Sequence, residues 1–204
     1  DYYDNAVSYY LQKDQSVQWQ QLGIQGIADF VCRLKEKDFR AINARLPQLE
    51  KAPLFALLQQ FEHQILPTAT VEALVQLVND NNNDAALISA CLRACAQSPA
   101  LKLFEITIHN WISRESLDLE LLLTILTRYA YLCHDTGFAV LALDHLARLA
   151  DADGFARVVG NLAMQSGLER VVMNTLASPQ LTENLANALS TMIQRARAQS
   201  HAKH

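Results

Sequence analysis

Three groups of side chains in this 204-residue chain have types and spacings that could do chemistry. Cys133, His134 and Asp135 are consecutive, with His109 upstream and Asp144, Asp151 and Asp153 downstream. Imidazole and carboxylate ligands in that order can hold a metal ion that activates water. Asp80, Asn82 and Asp84 place oxygen ligands at alternate positions, as the first, third and fifth positions of a calcium loop require. Cys91 and Cys95 lie one helical turn apart, the spacing of two thiolate ligands on one helix face.

Each group also has a structural reading, and the residues around it favour that reading. A calcium loop needs glycine at its sixth position and a bidentate carboxylate at its twelfth, and here those positions are Ala85 and Cys91. A capping turn explains the same Asn and Asp residues, because their side chains bond backbone donors and tolerate left-handed conformations. Cys91 and Cys95 continue an apolar stripe with Ile88 and Leu92, and no nearby pair completes a four-ligand zinc site. His134 suits a helix C-terminus and Asp135 the cap of the next helix. The order of His109, His134, Asp135 and a later aspartate is similar to that of HD-domain metal-dependent phosphohydrolases. That resemblance implies a metal-dependent hydrolase as the alternative function, although His109 and the later aspartates stand closer to His134 than in that family. We therefore expect no catalytic, metal-binding or cofactor-binding residue. His63, His145, His201 and His204 have no partner constellation legible in the sequence.

The elements that would position these groups are helices throughout. Apolar residues recur at three and four, as in Val71, Leu74, Val75 and Val78, then Ile88, Cys91, Leu92 and Cys95, then Leu101, Phe104, Ile108 and Trp111. Pro47, Pro53 and Pro67 fall where helices should begin or end, and Ser98-Pro99 and Ser178-Pro179 each set a hydroxyl before a proline. Asp38, Asp135 and Asp153 are expected to be further caps. The spacing predicts helices over 2–12 and 17–34, 39–46 and 53–65, 71–79 and 84–97, 101–113 and 117–133, 137–150 and 154–165, and 168–177 and 180–197. Second members recur at roughly 26 to 37 residues, a helical-repeat length without a recurring residue signature. The stretch 117–133 is apolar almost all round and belongs between neighbours, whereas the last helix has one apolar stripe through Leu181, Leu185, Leu189, Met192 and Ile193. Gly23 and Gly26, beside Trp19, are expected inside a helix where a neighbouring helix approaches closely.

Composition narrows the class of function. Half the residues are hydrophobic and 19% charged, so the chain can bury a core, and six glycines with five prolines are too few for a turn-rich β protein. A net charge of -4 gives no electrostatic reason to expect nucleic acid as a partner. The basic residues Arg33, Lys35, Lys37, Arg40, Arg45 and Lys51, and the tail residues Arg195, Arg197 and Lys203, read as solvated helix faces and ends. No apolar run is long enough for a membrane span. Cys32, Cys91, Cys95 and Cys133 all sit in apolar helical patterns, which fits reduced thiols in a cytoplasmic protein. The chain opens at Asp1 without a methionine, and we expect it to be the C-terminal part of something longer.

The stretches "VNDNNNDAALISACLRACAQSP" and "LARLADADGFARVVGNLAMQSG" resemble HEAT-like α-helical repeats. The opening "YYDNAVSYYLQKDQSVQWQQLGIQGIADFVCRL" resembles the C-terminal helical part of a family of uncharacterised bacterial proteins known as a domain of unknown function. The expected fold is all-α, one α-α superhelix of about six antiparallel helix pairs over residues 1–204, with a closed multi-helix bundle as the alternative. The expected function is a non-catalytic protein-interaction or scaffold module for an unknown protein or peptide, with a homo-oligomer as a further possibility. If second members of the pairs line the inner face, Gln18, Gln59, Arg93 and Arg128 are the polar contact residues.

Overall fold

The computed structural model describes residues 1–178 and 181–201. Among them are twelve α-helices and no strand: α1 (Tyr2–Tyr10), α2 (Ile24–Cys32), α3 (Glu36–Arg45), α4 (Lys51–Phe61), α5 (Thr68–Asp80), α6 (Ala85–Cys95), α7 (Glu105–Ile112), α8 (Leu119–Arg128), α9 (Thr136–Leu149), α10 (Ala152–Ala163), α11 (Glu169–Leu176) and α12 (Glu183–His201). None of these helices is long and apolar enough to cross a membrane. The chain divides into two compact units, Asp1–Thr107 and Ile108–His204.

Aspartate starts most of the well-capped helices. Asp1, Asp84, Asp118, Asp135 and Asp151 each accept a hydrogen bond from the backbone N–H three residues on, at 2.7 to 3.1 Å. Each bond satisfies a donor that has no partner within its helix. Two expected caps sit elsewhere. Asp38 is already inside α3, where its carboxylate accepts from the Lys35 N–H at 3.0 Å and closes the helix start from within. Asp153 is the second residue of α10, because Asp151 reaches the Gly154 N–H first, at 2.7 Å.

The prolines punctuate as expected, with local differences. Pro47 lies in a 3₁₀ turn (Leu46–Gln48), Pro53 in the first turn of α4, and Pro67 caps α5. Ser98 does not open an α-helix. Its buried hydroxyl donates to the Leu66 carbonyl at 2.9 Å and ties the turn after α6 to the start of α5. Pro179 lies outside the described residues, and α12 opens instead at Thr182, whose hydroxyl accepts from the Leu185 N–H at 3.3 Å.

Two expected helices are shorter than their apolar pattern. Residues 11–18 are irregular: α1 closes at Leu11, Gln12 turns into the left-handed region at φ 52°, and the Asp14 carboxylate holds Ser16 at 2.8 Å. A 3₁₀ turn (Trp19–Gln21) follows, so α2 opens at Ile24 with Gly23 as its extended cap. The stretch 117–133 breaks at Tyr129, where φ -124° and ψ 28° end α8 and a 3₁₀ turn (Ala130–His134) continues the apolar pattern. Its burial is as expected: Leu121, Leu122, Ile125, Leu126, Tyr129, Leu132 and Cys133 are all inside.

In the first unit, α1 packs on α2, α2 on α4 and α4 on α6, while α3 packs on α5 and α5 on α6. Alternate helices therefore touch, and of the expected consecutive pairs α1–α2 and α5–α6 pack together while α3 and α4 make no comparable contact. Tyr10 locks this unit together: its ring stacks on Phe30 with centroids 5.3 Å apart, and its hydroxyl donates to the Pro53 carbonyl at 2.8 Å. Gly26 is what lets α1 and α2 approach, since a Cβ there would lie 2.4 Å from the Tyr2 carbonyl oxygen. α6 has almost no wet face, with Leu87 to Leu92, Ala94 and Cys95 all buried. In the second unit α9 is central and packs against α8, α10, α11 and α12. Trp111, Tyr129 and Phe155 are the largest buried rings there. α12 keeps one wet face, as expected, but of its apolar stripe Leu185 is fully buried, Leu181, Leu189 and Met192 are half-buried, and Ile193 is exposed.

Candidate functional site

The residues of the possible metal site are each engaged by ordinary structural partners. His134 is exposed and its ring lies beside Gly167, which takes a left-handed φ of 81°. Asp135 caps α9 through the Phe138 N–H at 3.1 Å, as the structural reading expects. His109, also exposed, meets the Phe138 ring edge-on with centroids 5.1 Å apart. Asp144 pairs with Arg148 at 3.2 Å and accepts from the Thr182 hydroxyl. Asp151 caps α10 and Asp153 pairs with Arg195. Among the described residues, no three His, Cys, Asp or Glu side chains come together as a group that could hold a metal ion.

His145 has partners that the sequence did not disclose. It is 3% exposed, its Nε2 bonds the Ile112 carbonyl at 2.9 Å, and its Nδ1 lies 2.8 Å from the Arg148 guanidinium. A carbonyl can only accept and a guanidinium only donate, so the ring is the neutral tautomer protonated at Nε2. Arg148 also donates to the Glu115 carbonyl at 3.1 Å, so this group ties α9 to the end of α7 and the segment after it. His63 is exposed, and the side chain of His201 and all of His204 lie outside the described residues.

Cys91, Cys95 and Cys133 are buried core thiols, and burial raises each of their pKa values, to about 12 for Cys95 and about 11 for Cys133. Cys32 departs from the expectation. It ends α2 on the surface, where the Gln64 amide donates to its sulfur at 3.8 Å.

The Asn- and Asp-rich segment is the capping turn. The Asn81 amide donates back to the Leu77 carbonyl at 2.8 Å and closes α5. The Asp84 carboxylate accepts from the Leu87 N–H at 3.0 Å and from Lys51 Nζ at 2.9 Å. These bonds hold its pKa below the usual carboxylate value, the backbone bond first and the lysine second. Asp84→Ala should therefore lower stability by about 1 kcal/mol through the lost cap, the exposed lysine pair adding little. Urea denaturation of the two proteins checks this, and millimolar calcium should leave both midpoints where they are.

The expected contact residues separate into three places. Gln59 and Arg93 come together in a groove of about 530 Å³ between α4 and α6, lined by Ala52, Phe55, Ala56, Glu62 and Ala90. Ala52, Phe55, Ala56 and Gln59 follow the three-and-four spacing of one helix face. Arg93 reaches across to Glu62 at 3.0 Å, and both are partly buried. Gln97 secures the same end by donating to the Glu62 carbonyl at 3.0 Å. The result is an apolar floor with a fixed charge pair at one end and the Gln59 amide exposed. Gln18 is not in this groove; it precedes the 3₁₀ turn and bonds Gln21 at 3.0 Å. Arg128 is exposed at the end of α8 in the second unit. That unit has a smaller groove of about 380 Å³ between α8 and α10, lined by Leu119, Leu123, Ala150, Asp151, Gly154, Arg157 and Val158.

The model of a family described as protein of unknown function DUF3549 matches residues 1–193, and the chain belongs to that family. No curated protein and no solved structure matches the chain.

Proposed function

We propose that this member of the DUF3549 family is a non-catalytic interaction module, a HEAT-like stack of helix pairs that holds a segment of another protein in the groove between α4 and α6. The observation that carries the reading is the groove itself: a helix-spaced apolar floor at Ala52, Phe55, Ala56 and Ala90, with Gln59 and the Arg93–Glu62 pair as polar contacts. Such a surface suits an apolar side chain flanked by hydrogen-bonding groups. The alternating contacts of α2, α4 and α6 on one side and of α3 and α5 on the other support a repeat-like stack, since stacked repeats touch their nearest neighbours in this way. The three buried thiols fit a reducing compartment, so the cytoplasm is its expected place, and the sequence resemblance points to bacteria.

The test uses two exposed groove positions whose change leaves the core intact. A photo-crosslinking amino acid at Gln59 should trap a partner protein in cells, and Ala52→Glu with Gln59→Arg should reduce its capture at least tenfold. A trapped second copy of this chain would make the groove the interface of a homo-oligomer. Capture that is unchanged by the double substitution would remove the groove from the proposal.

A further inference from the structure

A third cavity, of about 180 Å³, lies in the first unit where the end of α1, the end of α2 and the start of α3 meet. Its floor is apolar, made by Val7, Leu11, Phe30 and Leu34, and its rim carries Lys13, Arg33, Lys35 and Lys37 against the single acid Asp38. The chain as a whole has a net charge of -4, so four cations round one small cavity run against its average. Among the described residues none of the four is in a salt bridge. Arg33 lies over the Tyr3 ring at 4.6 Å from the centroid, a contact that positions the guanidinium without neutralising it. The carboxylate of Asp38 is already committed to the Lys35 N–H at 3.0 Å. Lys13 is brought to the rim by the left-handed turn at Gln12, which lets the Lys13 N–H bond the Ser8 carbonyl at 2.9 Å as α1 closes.

We infer that this cavity binds an acidic peptide segment of a partner protein, with one bulky apolar side chain on the Val7, Leu11, Phe30 and Leu34 floor and carboxylates facing Lys13, Arg33, Lys35 and Lys37. Charge complementarity selects the occupant: unpaired cations favour a negative partner, and an apolar floor favours a side chain over a bare anion. The site is separate from the α4–α6 groove and stands independently of it.

The probe is a fluorescein-labelled peptide with one Phe between two runs of Glu, titrated with the whole chain and read by anisotropy. Saturable binding is expected, weakened at least tenfold when Gln replaces Glu in the peptide, and weakened again when Ser replaces its Phe. Lys13→Glu with Lys37→Glu should also lose at least tenfold, with an unchanged circular dichroism spectrum, because both side chains are exposed. The inference is overturned if the acidic peptide does not bind, if its Gln form binds equally, or if the reversed-charge protein binds as well as the original. Equal competition by a short single-stranded oligonucleotide or by phosphatidylserine vesicles would also overturn it, replacing the peptide with a general polyanion.

Discussion

Replacing Gly26 by alanine is expected to lower stability by about 2 kcal/mol and to loosen α1 from α2. The added Cβ would lie 2.4 Å from the Tyr2 carbonyl oxygen and 2.5 Å from its carbonyl carbon. Those are backbone atoms of α1, so no side chain can swing aside, and the two helices must part. Overpacking of this kind costs about 3 kcal/mol at its upper range, and the better helix propensity of alanine returns no more than about 1 kcal/mol. Gly160 supplies the contrast. It is exposed in α10 with nothing within 4 Å of where a Cβ would stand, so Gly160→Ala should stabilise by about 0.5–1 kcal/mol. Urea midpoints of the two variants should move in opposite directions. Hydrogen exchange should quicken along Tyr2–Tyr10 in the first variant, and the acidic-peptide cavity should be lost with it, because Tyr3, Val7, Leu11 and Lys13 line that cavity. An unshifted midpoint for Gly26→Ala would mean that α1 and α2 are not in such close contact.

The second large effect is alkaline destabilisation. Burial raises the thiols of Cys95 and Cys133 from 9.0 to about 12 and about 11. Cys91 rises well above 9.0 for the same reason, helped by Cys95 beside it. A thiol raised in this way contributes its full stability below its unfolded value, and loses it as pH climbs through the folded one. The loss approaches about 1.4 kcal/mol per pH unit for each group above its unfolded value, so Cys95 alone accounts for about 2 kcal/mol between pH 9 and pH 11. The buried phenol of Tyr10, also raised, adds to the decline above its ordinary value of 10.0. Cys91, Cys95 and Tyr10 belong to the first unit and Cys133 to the second, so both units lose stability as pH rises. Urea titrations from pH 8 to pH 11 read the slope, and Cys95→Ala should flatten it by the share of one proton. A stability that stays level to pH 11 would contradict the burial of these thiols.

Much of the fold is legible in the sequence because twelve amphipathic stripes carry their own punctuation. Pro67, Asp84 and Asp135 mark helix starts through backbone chemistry that acts within a few residues, and all three hold in the structure. Where reading fails, the backbone leaves the α-helix although the side-chain pattern continues. The apolar period runs unbroken through Tyr129, yet the chain leaves the α-helix there, because a 3₁₀ turn can bury Leu132 and Cys133 equally well. The loop expected between 12 and 17 is present but longer than the pattern tells, because the turn at Gln12 closes α1 early and α2 opens only at Ile24.

The candidate sites were less legible. The pairing of Gln59 with Arg93 was visible as two polar residues on successive second helices, but the Glu62 partner across the groove was not. The basic cavity escaped entirely. Lys35 and Lys37 look like a solvated helix start, and Lys13 stands twenty residues from Arg33 in the chain. Only the packing of α1 on α2 gathers them round one apolar floor.

The enclosure of α6 bears on how the chain is made. Its two main partners, α4 and α5, both precede it in the sequence. During synthesis the most enclosed helix of the first unit therefore emerges beside surfaces that already await it, and its exposure to other nascent chains is short.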